Sequence, residues 1–223
     1  MNYTSTEKRN IVKDDYNAIA DTFAKFYSDI DYCKTYVDEF IERLAGKKVL
    51  DMGCGAGQIT NYLTQKGINA IGIDFSENLL EIAKQNFPNS KFILADICIY
   101  EQKDKVDGII TKDMLFHLPD EDLINVLQKF RKILKPAGKL CILMDIPKEA
   151  GEQIFVEELD DKYQIYYNYL TPEKLKALLI KTGFCVDSMQ IIKDNDNASS
   201  YATGLMVFQV DNQIIKKHNV QII

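Results

Sequence analysis

Residues that would indicate metal or disulfide chemistry are scarce in this 223-residue sequence. It has no tryptophan, two histidines and five cysteines, and no two cysteines stand at a CxxC spacing. Zinc sites and disulfide frameworks need clustered Cys and His residues, so we expect neither and predict no metal ion. A basic surface is missing as well. The net charge of −6 argues against a nucleic-acid partner, which would need excess positive charge to bind phosphates.

Long apolar runs are also absent from the sequence. No stretch approaches the length of about 18 apolar residues that a membrane-spanning helix needs, and the N-terminal residues lack the apolar core of a signal peptide. The sequence therefore predicts a cytoplasmic protein with no membrane partner. With 46% hydrophobic and 27% charged residues, its composition is that of an ordinary globular domain.

Strand and helix signals alternate along most of the chain, after an N-terminal stretch of helical periodicity. This alternation favours a Rossmann-like, doubly wound α/β fold with a mostly parallel sheet, an antiparallel last strand and the N-terminal helices over the site. Seven short apolar runs are predicted to form the strands, at residues 47–53, 69–74, 91–96, 106–111, 139–145, 184–192 and 202–210. We expect a single domain over residues 1–223, made of a helical cap (1–45), a cofactor-binding core (46–145), a substrate-side insertion (146–170) and a C-terminal helix with a strand pair (171–223).

The strongest motif is a glycine-rich loop, VLDMGCGAG, between the first strand and the following helix. Gly53, Gly55 and Gly57 have the spacing that lets backbone approach a ligand at a helix N-terminus. Gln58 stands where a dinucleotide fingerprint has glycine, and Asp51 would face an anionic pyrophosphate. A cationic sulfonium amino acid suits this loop better, and a mere tight turn is the alternative interpretation.

Acidic residues end the second and third predicted strands. Asp74 lies 21 residues after Gly53, close to the interval expected for an acid that binds both ribose hydroxyls of a nucleoside cofactor. Asp96 is a candidate acceptor for an adenine amino group, with Phe75 and Ile97 offering apolar faces to the ring. A strand-end turn is the other interpretation of Asp96.

Together these motifs resemble the class I S-adenosylmethionine-dependent methyltransferases, in the small-molecule group often labelled type 11 or 25. The family's E/DxGxGxG motif is matched by residues 51–57, and its ribose-binding and adenine-binding acids by Asp74 and Asp96. VDGIITKDMLFHL resembles its fourth-strand segment, and RKILKPAGKLCI resembles its R-x-L-K-P-G-G element, with Ala137 replacing the first glycine. YNAIADTFAKFY resembles its N-terminal helix, whose tyrosine, here Tyr16, often reaches the cofactor.

The resemblance implies in-line methyl transfer from S-adenosylmethionine, with a small molecule as the first choice of acceptor. The motifs and the resemblance together predict a set of cofactor-binding residues: Tyr16, Asp51, Gly53, Cys54, Gly55, Gly57, Asp74, Phe75, Ser76, Asp96, Ile97 and Lys112.

In-line transfer does not require a dedicated catalytic side chain, because positioning can supply most of the acceleration. A base for the acceptor's proton would come from the end of the fourth strand, where Lys112, Asp113 and His117 are candidates. A structural role at the start of a helix is the favoured interpretation of His117. Lys112 either contacts the acceptor or points to solvent.

Tyrosines cluster in the insertion, in the segment YQIYYNYL. Tyr167 and Tyr169 are candidates for binding an apolar or cationic substrate, and the same segment is equally compatible with an extra strand. The acidic run at 157–161 is interpreted first as a solvated face.

Two other functions stay open from the sequence. One is a non-catalytic protein that binds S-adenosylmethionine or S-adenosylhomocysteine, since in-line chemistry leaves no obligatory residue to find missing. The other is an NAD-dependent oxidoreductase, which the glycine spacing, Asp51 and the lack of a YxxxK constellation disfavour. The methyl acceptor, the attacked atom and the oligomeric state are not determined by the sequence.

Overall fold

The fold is described from a computed structural model, which covers residues 3–145, 151–156, 163–189 and 205–208. In these ranges the helices are α1 Ser5–Ala18, α2 Ala20–Phe26, α3 Lys34–Glu42, α4 Gln58–Gln65, α5 Glu77–Asn86, α6 Asp120–Ile133 and α7 Pro172–Lys181. The strands are β1 Lys48–Met52, β2 Asn69–Asp74, β3 Lys91–Leu94, β4 Val106–Lys112, β5 Leu134–Leu143, β6 Gly151–Val156, β7 Gln164–Tyr169, β8 Cys185–Met189 and β9 Leu205–Phe208.

Seven of these strands form one sheet in the order β3-β2-β1-β4-β5-β9-β8. The pairings among β1 to β5 are parallel, whereas β9 runs antiparallel to both of its neighbours, β5 and β8. The predicted doubly wound sheet with an antiparallel last strand is therefore confirmed. β6 and β7 pair separately as an antiparallel hairpin, so the tyrosine segment does build an extra strand.

Buried side chains of the central strands alternate between two hydrophobic clusters. Leu50 of β1 and Ile109 of β4 belong to one cluster, together with apolar residues of α6 and α7. Their chain neighbours Val49 and Ile110 belong to the other, together with residues of α3 and α4. Because successive strand residues point to opposite faces, this alternation means that both faces of the sheet are covered by helices.

The N-terminal helices differ in detail from the periodicity in the sequence. A capping box starts α1: Thr4 Oγ1 accepts a hydrogen bond from Glu7 N at 3.3 Å, and Glu7 Oε2 accepts one from Thr4 N at 2.7 Å. The helix is interrupted at Ile19, and α2 ends at Phe26, so Ile30 lies beyond it. The helical spacing of Ile19, Phe23, Phe26 and Ile30 predicted helix as far as Ile30, because such spacing reports which residues are buried and does not show where a helix ends.

Several predictions fall partly outside the described residues or are not tested by the structure. The acidic run 157–161 lies outside them, and the subdivision of residues 1–223 stays a prediction. Among the residues that the structure describes, no helix is long and apolar enough to cross a membrane. The same residues contain no group of three or more His, Cys, Asp or Glu side chains that could hold a metal ion.

Candidate functional site

A cavity lies at the carboxyl ends of the central parallel strands, the edge where open α/β sheets bind ligands. One wall is the glycine loop after β1, with Asp74 and Asp96 at the ends of the neighbouring strands. The opposite side is formed by Lys112 at the end of β4 and Asp145 shortly after β5. Residues from α1, α2 and the segment that follows α2 complete the lining, so the N-terminal helices lie over the site as predicted.

The glycine loop has the backbone geometry that only glycine adopts readily. Gly53, Gly55 and Gly57 have φ angles of 78°, 52° and 87°. A Cβ atom at Gly53 would lie 2.6 Å from the Cγ atom of Met114, so a side chain is excluded there. At Gly55 the nearest atom to such a Cβ is a ring carbon of Phe23, 3.4 Å away, so the absent side chain leaves room beside the loop.

Asp51 is the penultimate residue of β1 and is 1% exposed. Its Oδ2 atom accepts a hydrogen bond from Thr60 Oγ1 at 2.6 Å. Burial raises the pKa of Asp51 to about 7, with a further increase from the negative charge of Asp74 and an opposing effect of the Thr60 hydrogen bond. No cation among the described residues contributes to the pKa of Asp51, and a buried carboxylate in such surroundings is well suited to a positively charged ligand.

Asp74 is fixed by the backbone around it. Its carboxylate accepts hydrogen bonds from Gly55 N at 2.8 Å and from Ser76 N at 2.9 Å. Burial raises the pKa of Asp74, and these backbone hydrogen bonds oppose that increase. Ser76 caps α5 by accepting from Leu79 N at 3.2 Å, and its hydroxyl donates to Asn17 Oδ1 at 2.8 Å. The acid, the cap of α5 and the end of α1 therefore form one connected unit.

Asp96 follows β3 and contacts a residue that the sequence analysis missed. Its carboxylate accepts hydrogen bonds from Cys98 N at 2.8 Å and from Arg9 Nε at 3.2 Å. Arg9, on α1, also pairs with Asp122 on α6 and lines the cavity. No local motif could have identified Arg9, because its two partners lie 87 and 113 residues away in the sequence.

His117 links three separate elements. Its Nδ1 atom lies 2.9 Å from the Tyr166 carbonyl oxygen, and its Nε2 atom lies 2.9 Å from the Tyr16 hydroxyl. A carbonyl can only accept, so Nδ1 carries the proton and, in the neutral ring, Nε2 accepts from Tyr16. Burial lowers the pKa of His117 to about 4. A neutral ring with both nitrogens occupied favours the structural interpretation over that of a base.

Lys112 lies at the cavity wall and does not extend into solvent. Its side chain is 16% exposed, and its Nζ atom is 5.2 Å from the ring centroid of Tyr27 and 4.9 Å from that of Tyr32. It forms an ion pair with Asp113. Among the described residues, Asp113 is the non-glycine residue with a positive φ, which is 50°. Asp113 Oδ1 in turn accepts a hydrogen bond from Asp145 N at 3.0 Å.

The two candidate substrate-binding tyrosines have different positions. Tyr167 lines the cavity, with its ring centroid 5.2 Å from that of Phe116 and 4.9 Å from that of His117. Tyr169 is stacked on Tyr167 at 5.3 Å with an interplanar angle of 4°, and it does not belong to the lining. Gly57 and Ser76 also stand outside the lining, whereas the other ten implied cofactor-binding residues belong to it.

Sequence similarity to known methyltransferases identifies the family of this chain independently of the cavity. A family model described as a methyltransferase domain matches residues 49–138. The chain is 31% identical over 180 residues to a ubiquinone biosynthesis O-methyltransferase of Acinetobacter baumannii, covering 74% of this chain and 75% of that protein. It is 29% identical over 162 residues to the protein of the same name from Leptothrix cholodnii, covering 66% and 68%.

The fold is also found among solved structures. One is the 1,6-didemethyltoxoflavin-N1-methyltransferase of Burkholderia thailandensis, with bound 1,6-didemethyltoxoflavin and S-adenosylhomocysteine. The match has a TM-score of 0.75 and 16% sequence identity, and covers 95% of this chain and 92% of that chain. At this identity the likeness establishes the fold only.

Proposed function

The chain belongs to the class I S-adenosylmethionine-dependent methyltransferases, and from this premise we propose that it transfers a methyl group in line to an oxygen atom of a small molecule. The proposal rests chiefly on one observation. A glycine loop flanked by the buried acids Asp51 and Asp74 forms one wall of a cavity, and Lys112 with aromatic side chains forms the other. A donor and an acceptor could thus be held face to face between these walls.

The residues at the first wall fit the donor's chemistry. The space beside Gly55 admits a ligand close to the backbone, and Asp51 offers a buried carboxylate to the cationic amino acid end. Asp74, held by two backbone N–H groups, is proposed to bind the ribose hydroxyls, and Asp96 with Ile97 the adenine. When bound, S-adenosylmethionine supplies an electrophilic methyl group on a positively charged sulfur atom.

Other residues are proposed to shape the part of the cavity that holds the donor. We propose that Tyr16 is held by His117 so that its ring and hydroxyl border the donor's carboxylate end. Cys54, Phe75 and Gly53 would contribute surface to the same half of the cavity. Gly57 and Ser76 would act through the loop and the cap of α5 rather than by direct contact.

The choice of oxygen as the attacked atom is supported by the relatives named O-methyltransferase. A small acceptor is supported by the aromatic residues that line the second wall. Tyr167 is the better candidate of the two tyrosines for contact with the acceptor, because Tyr169 lies behind it. A cytoplasmic location and the absence of a nucleic-acid partner stay predictions from the sequence.

Calorimetric titration tests the donor half of this proposal. We expect micromolar binding of S-adenosylmethionine and S-adenosylhomocysteine, no binding of NAD, and loss of binding in Asp74→Ala. The exposed residue Asp14 provides the control variant Asp14→Ala, which should bind as the wild type does. Binding of NAD alone, or of none of the three, would refute the proposal. Methyl transfer to any small hydroxyl compound would distinguish an enzyme from a protein that only binds the cofactor.

A further inference from the structure

We propose that Lys112 and Asp145 recognise the acceptor, and that they select an acidic, conjugated hydroxyl group such as a phenol or an enol. The acceptor oxygen binds at Lys112 as its oxyanion, and the hydroxyl proton passes to Asp145. This inference rests on the proposed function, since it assigns the second wall of the same cavity. It adds the chemical class of the acceptor and the two side chains that choose it.

The ends of two adjacent strands bring the pair together. Lys112, the last residue of β4, is in register with Leu143, the last residue of β5, and Asp145 follows two residues later. Asp113 ties the two strand ends, because its N–H donates to Leu143 O at 2.9 Å and its Oδ1 accepts from Asp145 N at 3.0 Å. Lys112 and Asp145 both line the cavity.

The backbone conformation of Asp113 shows that this arrangement has a local cost in conformational free energy. A φ of 50° is disfavoured for residues with a Cβ atom, although Asp tolerates it better than most. Glycine would adopt this conformation without strain, but it would provide neither the carboxylate that pairs with Lys112 nor the acceptor for Asp145 N. Strained residues of this kind are concentrated at functional sites.

Among the described residues, two carboxylates contribute negative charge around Lys112. Asp113 is its ion-pair partner, and Asp145 interacts with it electrostatically. The neighbouring Cys33 and Tyr32 are neutral near pH 7, because burial raises the pKa of Cys33 to about 11 and also raises the pKa of Tyr32. The Lys112 ammonium has three N–H groups, and one ion pair with Asp113 leaves capacity for an acceptor oxygen.

Proton transfer to Asp145 lets the acceptor become an anion without adding negative charge to the cavity. When the acceptor hydroxyl loses its proton to Asp145, the acceptor gains the negative charge that Asp145 loses, so the net charge of the site is unchanged. The new oxyanion then faces Lys112, and Asp145 is neutral. As the oxygen–methyl bond forms, the methyl–sulfur bond breaks and its electron pair stays on sulfur. The proton on Asp145 is afterwards released to solvent.

The same geometry disfavours other acceptor classes. A cationic acceptor would be repelled by the Lys112 ammonium, and a neutral amine would provide no oxyanion for it. The rings of Phe23, Tyr27 and Tyr167 also line the cavity, and planar conjugated molecules pack well against such faces. Conjugation also makes a hydroxyl acidic enough to ionise beside a lysine.

Spectroscopic titration with 4-nitrocatechol tests the inference, because the ionised and neutral forms of this phenol differ in colour. The protein is first loaded with sinefungin, an unreactive analogue that carries an amine in place of the transferable methyl. We expect the pKa of the bound probe to fall by at least one unit, about a tenfold change in ionisation. Lys112→Met should abolish this decrease, whereas Lys112→Arg should retain most of it. The exposed Lys84 provides the control Lys84→Met, which should behave as the wild type does.

The role of Asp145 has a separate readout. One pH unit below its own pKa, the free probe is mostly the neutral phenol and must lose a proton when it is bound as the coloured oxyanion. In the wild type this proton moves to Asp145, so almost none should be released to the buffer. In Asp145→Asn, oxyanion binding should release close to one proton per site. Calorimetry in two buffers of different ionisation enthalpy measures this number.

The outcomes separate this inference from the proposed function. If sinefungin does not bind the wild type, the proposed function fails. If sinefungin binds but 4-nitrocatechol at 1 mM does not, or binds without a change in its pKa, the acceptor assignment is overturned. If the pKa of bound 4-nitrocatechol is still lowered in Lys112→Met, the role of Lys112 is overturned. If the wild type and Asp145→Asn release the same number of protons, the role of Asp145 is overturned. An unchanged thermal midpoint and a far-ultraviolet circular dichroism spectrum like that of the wild type confirm that each variant is folded, and the titrations are run at sinefungin concentrations that saturate each variant.

Discussion

The buried carboxyl group of Asp51 should contribute less to the stability of the ligand-free protein at neutral pH than at pH 5. Its pKa is about 7 in the folded protein, against an ordinary value of 3.8, and the main cause is burial. A raised pKa means that the folded state favours the protonated form. The contribution to stability is therefore complete below pH 3.8 and is lost as the pH rises through 7.

The size of the effect follows from the two pKa values. At about 1.4 kcal/mol for each tenfold change in proton affinity, the increase from 3.8 to about 7 corresponds to about 4 kcal/mol in total. Part of this is already lost at pH 5, where an unfolded-state Asp is mostly ionised. The change between pH 5 and pH 8 is therefore about 2.5 kcal/mol.

Asp51→Asn is the perturbation that isolates this effect. Asparagine has nearly the same shape, can still accept the hydrogen bond from Thr60 Oγ1, and carries no charge at any pH. Urea unfolding of both ligand-free proteins at pH 5 and pH 8 gives the free energies of unfolding. We expect the stability of Asp51→Asn relative to wild type to increase by about 2.5 kcal/mol between these pH values. The exposed variant Asp14→Asn serves as the control and should show no such change. Parallel pH dependence of wild type and Asp51→Asn would refute the reasoning.

Two further predictions concern the loop and the histidine. Gly57→Ala and Gly67→Ala introduce a side chain at φ angles of 87° and 75°, but only at Gly57 does the new Cβ collide with a ring, that of Phe92 at 2.7 Å. Urea unfolding should show Gly57→Ala to be the less stable variant by about 1–3 kcal/mol, and equal losses would contradict the packing argument. His117, with its pKa lowered from 6.5 to about 4, should withdraw about 3 kcal/mol of stability as the pH falls through that interval. His117→Ala should be less stable by about 2–4 kcal/mol at pH 7, and its stability should depend less on pH between 6.5 and 4. An unchanged pH dependence in this variant would show that another group titrates there.

The sequence predicted the sheet, and it identified the residues that line the cavity around the glycine loop, because their signals are local. Each strand is a short apolar run, and the glycine loop lies within a few residues of Asp51. The order of the strands then follows from chain connectivity and from the handedness of βαβ units. Asp74 and Asp96 come to the same edge because parallel strands share one carboxyl end.

The cavity wall around Lys112 was predicted only in part, because it depends on contacts between distant segments. Lys112 was a candidate, but the sequence did not distinguish a cavity residue from a solvent-exposed one. Its neighbours Tyr27 and Tyr32 come from an irregular segment after α2 with no periodicity to identify them. Arg9 is a similar case, since a charged residue on an N-terminal helix is ordinarily solvated and only the folded chain brings it to Asp96.

The position of β9 has a consequence for the order in which the sheet can be assembled. Among the described strands it occurs latest in the chain, yet it lies inside the sheet between β5 and β8. A nascent chain that has emerged only as far as β8 still lacks β9, the strand that joins β8 to the sheet. The edge of β5 that later pairs with β9 then has no partner strand. Sheet completion is therefore a late event with contacts far apart in sequence, and such topologies fold slowly. An unpaired strand edge is also a site of association between incomplete chains. During synthesis, this edge of β5 would stay open to such association until β9 has emerged.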